Sequence, residues 1–222
     1  MVSDNRALTN LAAILIYLVL SFTVCYAVQS DIECLKSIKD SLEDPLGVLK
    51  SWKFDDLSEG FICKFIGIEC WHPDENKVLG ISLADMGLKG QFPRGLRNCT
   101  SMTSLDLSNN KLHGSLPPNI SKYMSFMVFL DLSSNKFSGE IPANLANCSF
   151  LNSVKLENNQ FRGQIPAEIG LLDRLKSFNV SNNRLTGPIP RFRNATFPPE
   201  SYANNVGLCG EPLPKCKGKT IV

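Results

Sequence analysis

Histidine is scarce in this sequence: 222 residues hold two, His72 and His113. Metal sites and general-base chemistry draw heavily on imidazole, and neither residue has a partner at a readable spacing. A phosphate-binding glycine loop, a nucleophile elbow and a clustered histidine–carboxylate set are missing as well. The expectation is a chain without enzymatic activity, metal or cofactor. Excess charge is also lacking. Twenty-three Lys and Arg against 21 Asp and Glu leave a net +2, too little to draw the chain to nucleic acid or acidic lipid. Long apolar runs are limited to one, Leu11 to Val24, with Arg6 before it and small residues at Cys25 and Ala27 after it. That is the layout of a cleaved signal peptide, expected over residues 1–27, and the run is too short and too early for a stable membrane anchor. The segment Gly218 to Val222 is too short to span a bilayer. The chain is therefore expected outside the cell, secreted or held at the cell surface as a fragment of something larger.

Cysteine is present in numbers that secretion makes informative. Of the eight, Cys25 falls in the signal segment. Cys34, Cys63, Cys70, Cys99, Cys148, Cys209 and Cys216 remain. Two pairs share one spacing, with six residues between partners: Cys63 with Cys70, and Cys209 with Cys216. Zinc ligation fails on this spacing and on the shortage of histidine, which leaves disulfides.

The main signal is an internal repeat. Leu105-Asp-Leu-Ser-Asn-Asn110 is followed by Leu112, Gly114, Leu116 and Pro117. The same order recurs from Leu130 to Pro142, from Val154 to Pro166 and from Phe178 to Pro190, with a weaker copy from Ile81 to Pro93. The glycines Gly90, Gly114, Gly139, Gly163 and Gly187 step by 24, 25, 24 and 24 residues. Each copy opens on an apolar-x-apolar step, a short strand with two side chains inward and one outward. Asn110, Asn135, Asn159 and Asn183 follow where the chain turns away, and a buried amide there can pair with backbone groups of adjacent coils. These four are expected to form a structural ladder. Met86 holds the place in the first copy, where no coil lies below, and is expected to pack against a cap.

The period is that of leucine-rich repeats, and the Leu-x-Gly-x-Ile-Pro portion resembles the plant extracellular subclass. The fold class expected is an α/β repeat solenoid: a right-handed leucine-rich-repeat coil of five plant-type repeats with disulfide-closed caps at both ends. Residues 28–77 form the N-terminal cap. There Asp31 can cap a helix whose apolar face is Ile32, Leu35, Ile38 and Leu42, and Pro45 marks its end. The repeats occupy 78–193, and a C-terminal cap with a short tail covers 194–222. Trp52 and the string from Cys63 to Trp71 resemble the plant leucine-rich-repeat N-terminal domain. The string from Tyr202 to Cys216 resembles the ending of plant receptor-like kinase ectodomains. Cys99 and Cys148 fall at matching convex positions of copies one and three and are expected to be buried thiols. Cys34 stays open, either free or competing for Cys63 or Cys70.

Within that class, Ile62-Cys-Lys-Phe, Glu69-Cys-Trp-His72, Asp74-Glu-Asn-Lys-Val78 and the longer second repeat are similar to one family. It is the family of inactive receptor-like kinases that interact with somatic embryogenesis receptor kinase co-receptors. The resemblance covers residues 30–216. It implies association with a co-receptor ectodomain and negative control of immune or growth signalling. The family's membrane-spanning and kinase regions have no match in these residues; a soluble copy could still compete for the co-receptor. An enzyme inhibitor of the polygalacturonase-inhibiting type, or a truncated receptor copy without function, is the alternative; five repeats are few for such an inhibitor.

Partner binding is expected on the concave strand face. One column is Ser82, Asp106, Asp131, Lys155 and Asn179; the next is Ala84, Ser108, Ser133, Glu157 and Ser181. Phe129 stands out in the preceding column among Ser104, Ser153 and Ser177. Five strands about 4.8 Å apart give a face of roughly 20–25 Å, which suits a partner protein better than a long peptide. Phe129 is expected as the anchor, with Asp106, Asp131, Lys155 and Glu157 fixing orientation. Glycan acceptors are expected at Asn98, Asn119, Asn147, Asn179 and Asn194, each followed by x-Ser or x-Thr. A glycan on Asn179 would block part of the concave face.

Overall fold

The computed structural model describes residues 30–56 and 58–216. The expected signal segment over 1–27 and the tail beyond 216 lie outside the described residues. The chain is helical from residue 30 to residue 41. Then follow β1 (Ile68–Cys70), β2 (Val78–Ser82), β3 (Lys89–Gln91), β4 (Ser104–Asp106), β5 (Lys111–Ser115), β6 (Phe129–Asp131), β7 (Lys136–Gly139), β8 (Ser153–Lys155), β9 (Gln160–Gly163), β10 (Ser177–Asn179), β11 (Arg184–Pro188) and β12 (Gly207–Cys209). They make two sheets. One runs β1-β2-β4-β6-β8-β10, the other β12-β11-β9-β7-β5-β3. Every pairing is parallel except β1 with β2. Each coil thus contributes one strand to each sheet and returns through a 3-10 turn: Arg94–Asn98, Ile120–Lys122, Ala143–Asn147 or Ala167–Leu171. No helix among the described residues is long and apolar enough to cross a membrane.

The period-two pattern sets the register. Ile81, Leu105, Leu130, Val154 and Phe178 align across the first sheet and are all buried. Leu83, Leu107, Leu132, Leu156 and Val180 lie beneath the following column, likewise buried. No coil could bury these chains alone; stacking makes one continuous core. Prolines Pro93, Pro142 and Pro166 stand immediately before three of the 3-10 turns, where a fixed φ and a missing N–H do no harm. Gly114, Gly139, Gly163 and Gly187 have φ of 83, 79, 79 and 82°, the left-handed conformation in which a side chain is strained.

The asparagine ladder has one direction. Oδ1 of Asn110, Asn135, Asn159 and Asn183 accepts from the backbone N–H of Leu88, Leu112, Phe137 and Phe161, at 2.9–3.0 Å. Each Nδ2 donates to the carbonyl of Leu83, Leu107, Leu132 or Leu156 in the coil before. Every rung reaches backward, so the first coil needs none, and Met86 there packs half-buried against the core. A second row escaped the sequence reading. Asp85, Asn109, Ser134, Asn158, Asn182 and Asn204 all have φ between 53 and 58°, a conformation Asn and Asp tolerate best.

The caps depart from expectation in three ways. Asp31 does not cap the helix. It is 2 % exposed, and its Oδ2 accepts from the N–H of Val78 at 2.7 Å, tying the helix to the first strand. The apolar face reads as expected, with Leu35, Ile38 and Leu42 buried. Cys34 and Cys99 form a disulfide across 65 positions, so Cys99 is not a free thiol. The helix reaches the first 3-10 turn because Gly95 has no side chain: a Cβ there would lie 2.5 Å from that of Ser37. Ser30 Oγ donates to the Asn98 carbonyl at the same contact. Cys148, the matching residue of copy three, is buried and unpaired. The structure pairs Cys63 with Cys70 and Cys209 with Cys216. Lastly, the C-terminal cap is a shortened sixth coil. Asn205 Oδ1 accepts from Leu185 N–H at 2.9 Å and its Nδ2 donates to the Val180 carbonyl at 3.0 Å, the same rung as its four predecessors. Tyr202 takes the buried leucine place and β12 extends the second sheet.

Candidate protein-binding surface

The first sheet presents the expected columns in register. Ser104, Phe129, Ser153 and Ser177 align, as do Ser82, Asp106, Asp131, Lys155 and Asn179. Phe129 is 53 % exposed, an apolar ring whose column neighbours Ser104 and Ser153 are too small to cover it. The charged residues are more engaged than their outward position suggests. One side-chain oxygen each of Asp106, Asp131 and Asn179 accepts from the N–H two residues on, Ser108, Ser133 and Ser181, at 2.9–3.0 Å. These local turns hold the chain as it leaves the strand. Asp131 also accepts from Ser133 Oγ at 2.6 Å and pairs with Lys155 Nζ at 3.2 Å. The Asp131 carboxylate, as hydrogen-bond partner and as neighbouring charge, holds the Lys155 ammonium above its usual range. Burial pushes the Glu157 carboxyl up, and its Oε2 has no protein hydrogen-bond partner. The structure therefore groups Asp131, Lys155 and Glu157, with Asp106 one strand away.

A second surface lies on the connections that enter the strands. Backbone hydrogen bonds from Val128 to Thr103, Asn152 to Val128 and Lys176 to Asn152 (2.7–2.9 Å) fix the register of these connections. They bring Ser101, Phe126, Phe150 and Arg174 into one row, each three residues before its strand. Phe126 and Phe150 are 53 % and 37 % exposed, with ring centroids 5.9 Å apart. The Arg174 guanidinium lies 5.1 Å from the Phe150 centroid, an attractive cation–π arrangement. Leu171, 52 % exposed, borders a cleft of about 320 Å³ with Ala146, Ser149, Phe150, Asp173 and Arg174. At the other end, Trp71 of the cap donates its indole N–H to the Ser101 carbonyl at 3.2 Å, with Lys77 Nζ 5.7 Å from its ring. The row is a ridge of exposed aromatic rings ended by cations. Sequence reasoning missed it because it lies outside the strand motif. The signal was there: Phe126, Phe150 and Arg174 are spaced 24 and 24 residues apart, in phase with the repeat.

Of the five sequons, Asn119, Asn147 and Asn194 are exposed, and Asn98 and Asn179 half-buried.

Stacked coils, a backward asparagine ladder and two disulfide-closed ends define a leucine-rich-repeat solenoid of the extracellular kind. The leucine rich repeat N-terminal domain family matches residues 28–71, and the leucine rich repeat family matches 101–123, 127–148 and 174–194. The chain is 49 % identical over 150 residues to the inactive LRR receptor-like serine/threonine-protein kinase BIR2 of Arabidopsis thaliana, covering 68 % of this chain and 25 % of that protein. The crystal structure of the BIR2 ectodomain from Arabidopsis thaliana superposes with a TM-score of 0.82 at 46 % identity, covering 84 % of this chain and 98 % of that one. A chain in the crystal structure of the BIR3–SERK2 complex from Arabidopsis thaliana gives 0.79 at 40 % identity, covering 85 % and 100 %. The chain belongs to the family of leucine-rich-repeat ectodomains of plant inactive receptor-like kinases. It spans a quarter of the length of the full-length relative.

Proposed function

We propose that this chain is a non-enzymatic receptor-type ectodomain that docks onto the ectodomain of a co-receptor kinase of the SERK type and so modulates receptor-kinase signalling at the plant cell surface. The observation that carries the reading is the ridge of Phe126, Phe150 and Arg174. Monomeric proteins seldom leave aligned aromatic rings in water without a use, and aromatic and arginine side chains are those that dominate protein interfaces. The likeness to a chain of the BIR3–SERK2 complex supports the choice of partner. Phe129 extends the docking face onto the strand sheet, and Asp106, Asp131, Lys155 and Glu157 form its polar rim. A partner of fitting chemistry offers apolar side chains to the two rings and a carboxylate to Arg174.

The test is calorimetric or interferometric titration of the secreted chain against a co-receptor ectodomain. Phe150→Ala and Arg174→Ala are expected to weaken binding by about 30-fold or more each, the loss typical of an interface hot spot. Phe129→Ala and Lys155→Glu are expected to lose about threefold to tenfold. Unchanged affinity in both ridge variants, or no binding by the unaltered chain, sinks the reading.

A further inference from the structure

A second cleft, of about 310 Å³, opens between the first and second coils, lined by Gln91, Arg94, Ser115, Pro118, Asn119 and Tyr123. Its volume lies at the small end of ligand sites. Its walls mix hydrogen-bonding side chains with flat proline and tyrosine faces, the combination that suits a sugar ring, whose hydroxyls point outward around apolar C–H faces. Asn119 is itself a wall of this cleft and is the acceptor of a sequon, Asn119-Ile-Ser121. It stands at the start of a 3-10 turn, is exposed, and makes no capping hydrogen bond with its side chain. The other acceptors differ. Asn179 spends its Oδ1 on Ser181 N–H, and Asn194 Nδ2 donates to the Asp173 carbonyl at 3.4 Å. The Asn98 carbonyl is held by Ser30. Asn147 is exposed but lines neither cleft.

We infer that Asn119 carries an N-linked glycan whose first sugars dock in this cleft against Tyr123 and Pro118, so that the glycan is a structural part of the second coil. The inference rests on the extracellular reading above. In the attachment step Asn119 Nδ2 forms a bond to the anomeric carbon of an oligosaccharide carried on a lipid pyrophosphate. The pyrophosphate leaves with the bonding electron pair, and the amide gives up one proton. Tyr123 is held by the buried ring of Phe92, with centroids 6.2 Å apart, so the folded coil presents its exposed face to the sugar in a fixed place.

The chain is secreted from eukaryotic cells, trimmed enzymatically to one sugar per site, and mapped by glycopeptide mass spectrometry. Thermal unfolding then compares Asn119→Gln with Asn147→Gln, each alone and with Tyr123→Ala. The expected result is occupancy at Asn119 and a loss of about 2–4 °C in Tm for Asn119→Gln. Asn147→Gln stays within about a degree, and the Asn119→Gln loss disappears in the Tyr123→Ala background. An empty Asn119, or a Tm loss independent of Tyr123, overturns the inference. If the other four sequons are empty too, the extracellular reading falls with it; if they are occupied, it stands.

Discussion

Asp31 joins the N-terminal helix to β2 through one hydrogen bond, and that bond sits almost out of water. Burial pushes its carboxyl up to about 6, against the smaller opposing pull of the Val78 N–H and the Lys77 charge. The folded value thus exceeds the ordinary unfolded one near 3.9. The ionised form is penalised only in the fold. Stability from this group is complete below about pH 4 and is lost as the pH rises through 6, on the order of 3 kcal/mol in all. Asp31→Asn keeps an acceptor for Val78 and removes the titration. Its unfolding free energy, measured in denaturant from pH 4 to 7, is expected to fall less with rising pH than that of the unaltered chain. Parallel curves would show that the carboxyl is not the cause. The sequence marked Asp31 as a helix cap because aspartate before an apolar face is the usual sign. Its true partner lies 47 positions away, and no local pattern reports such a distance.

At the scale of the element, the five repeats and four of the ladder rungs were legible because stacking forces the same chemistry on every coil. Asn110, Asn135, Asn159 and Asn183 recur with the glycines. Asn205 was not recognised. It follows Asn183 by 22 residues rather than 24 or 25, and a single Tyr202 replaces the apolar-x-apolar step. Asn135→Ala strands the buried N–H of Leu112, a loss of about 2–3 kcal/mol. Asn205→Ala is expected to cost about 1–2 kcal/mol, since the rung is half-buried, and to speed hydrogen exchange at Leu185 before other amides. Equal exchange along the chain would contradict a coil-like cap. The cysteines divide the same way. Short-range pairs follow from spacing, whereas Cys34 and Cys99 meet only because the helix lies on the first 3-10 turn. On the chain-entropy view a bond across 65 positions contributes about 4 kcal/mol and each bond across seven about 2. Calorimetry of Cys34→Ser/Cys99→Ser is expected to show the larger fall in Tm, about 10 °C. A fall no greater than that from losing the Cys209–Cys216 bond would contradict it.

For the whole molecule, coils touch only their neighbours, so surface features at one repeat position line up into rows. The strand columns were legible from that rule, and the ridge obeys it too. It was overlooked because Phe126 and Phe150 sit among loop residues whose apolar neighbours Met127 and Leu151 are buried. An exposed phenylalanine beside a buried methionine or leucine looks in sequence like one more core residue. Only the fold separates them. The rings meet at a tilt on the outside while Met127 and Leu151 fill the core beneath.

Tension acts unevenly on such a stack. Load entering at the N-terminal side passes through the Cys34–Cys99 bond straight into the first coil, so the cap cannot peel away from it. The other end is closed by a loop of seven positions that grips only itself and its neighbour. A stretched molecule is expected to unwind from the sixth coil inward, giving up Arg174 first and Phe126 last, while Trp71 stays rooted on the end that holds.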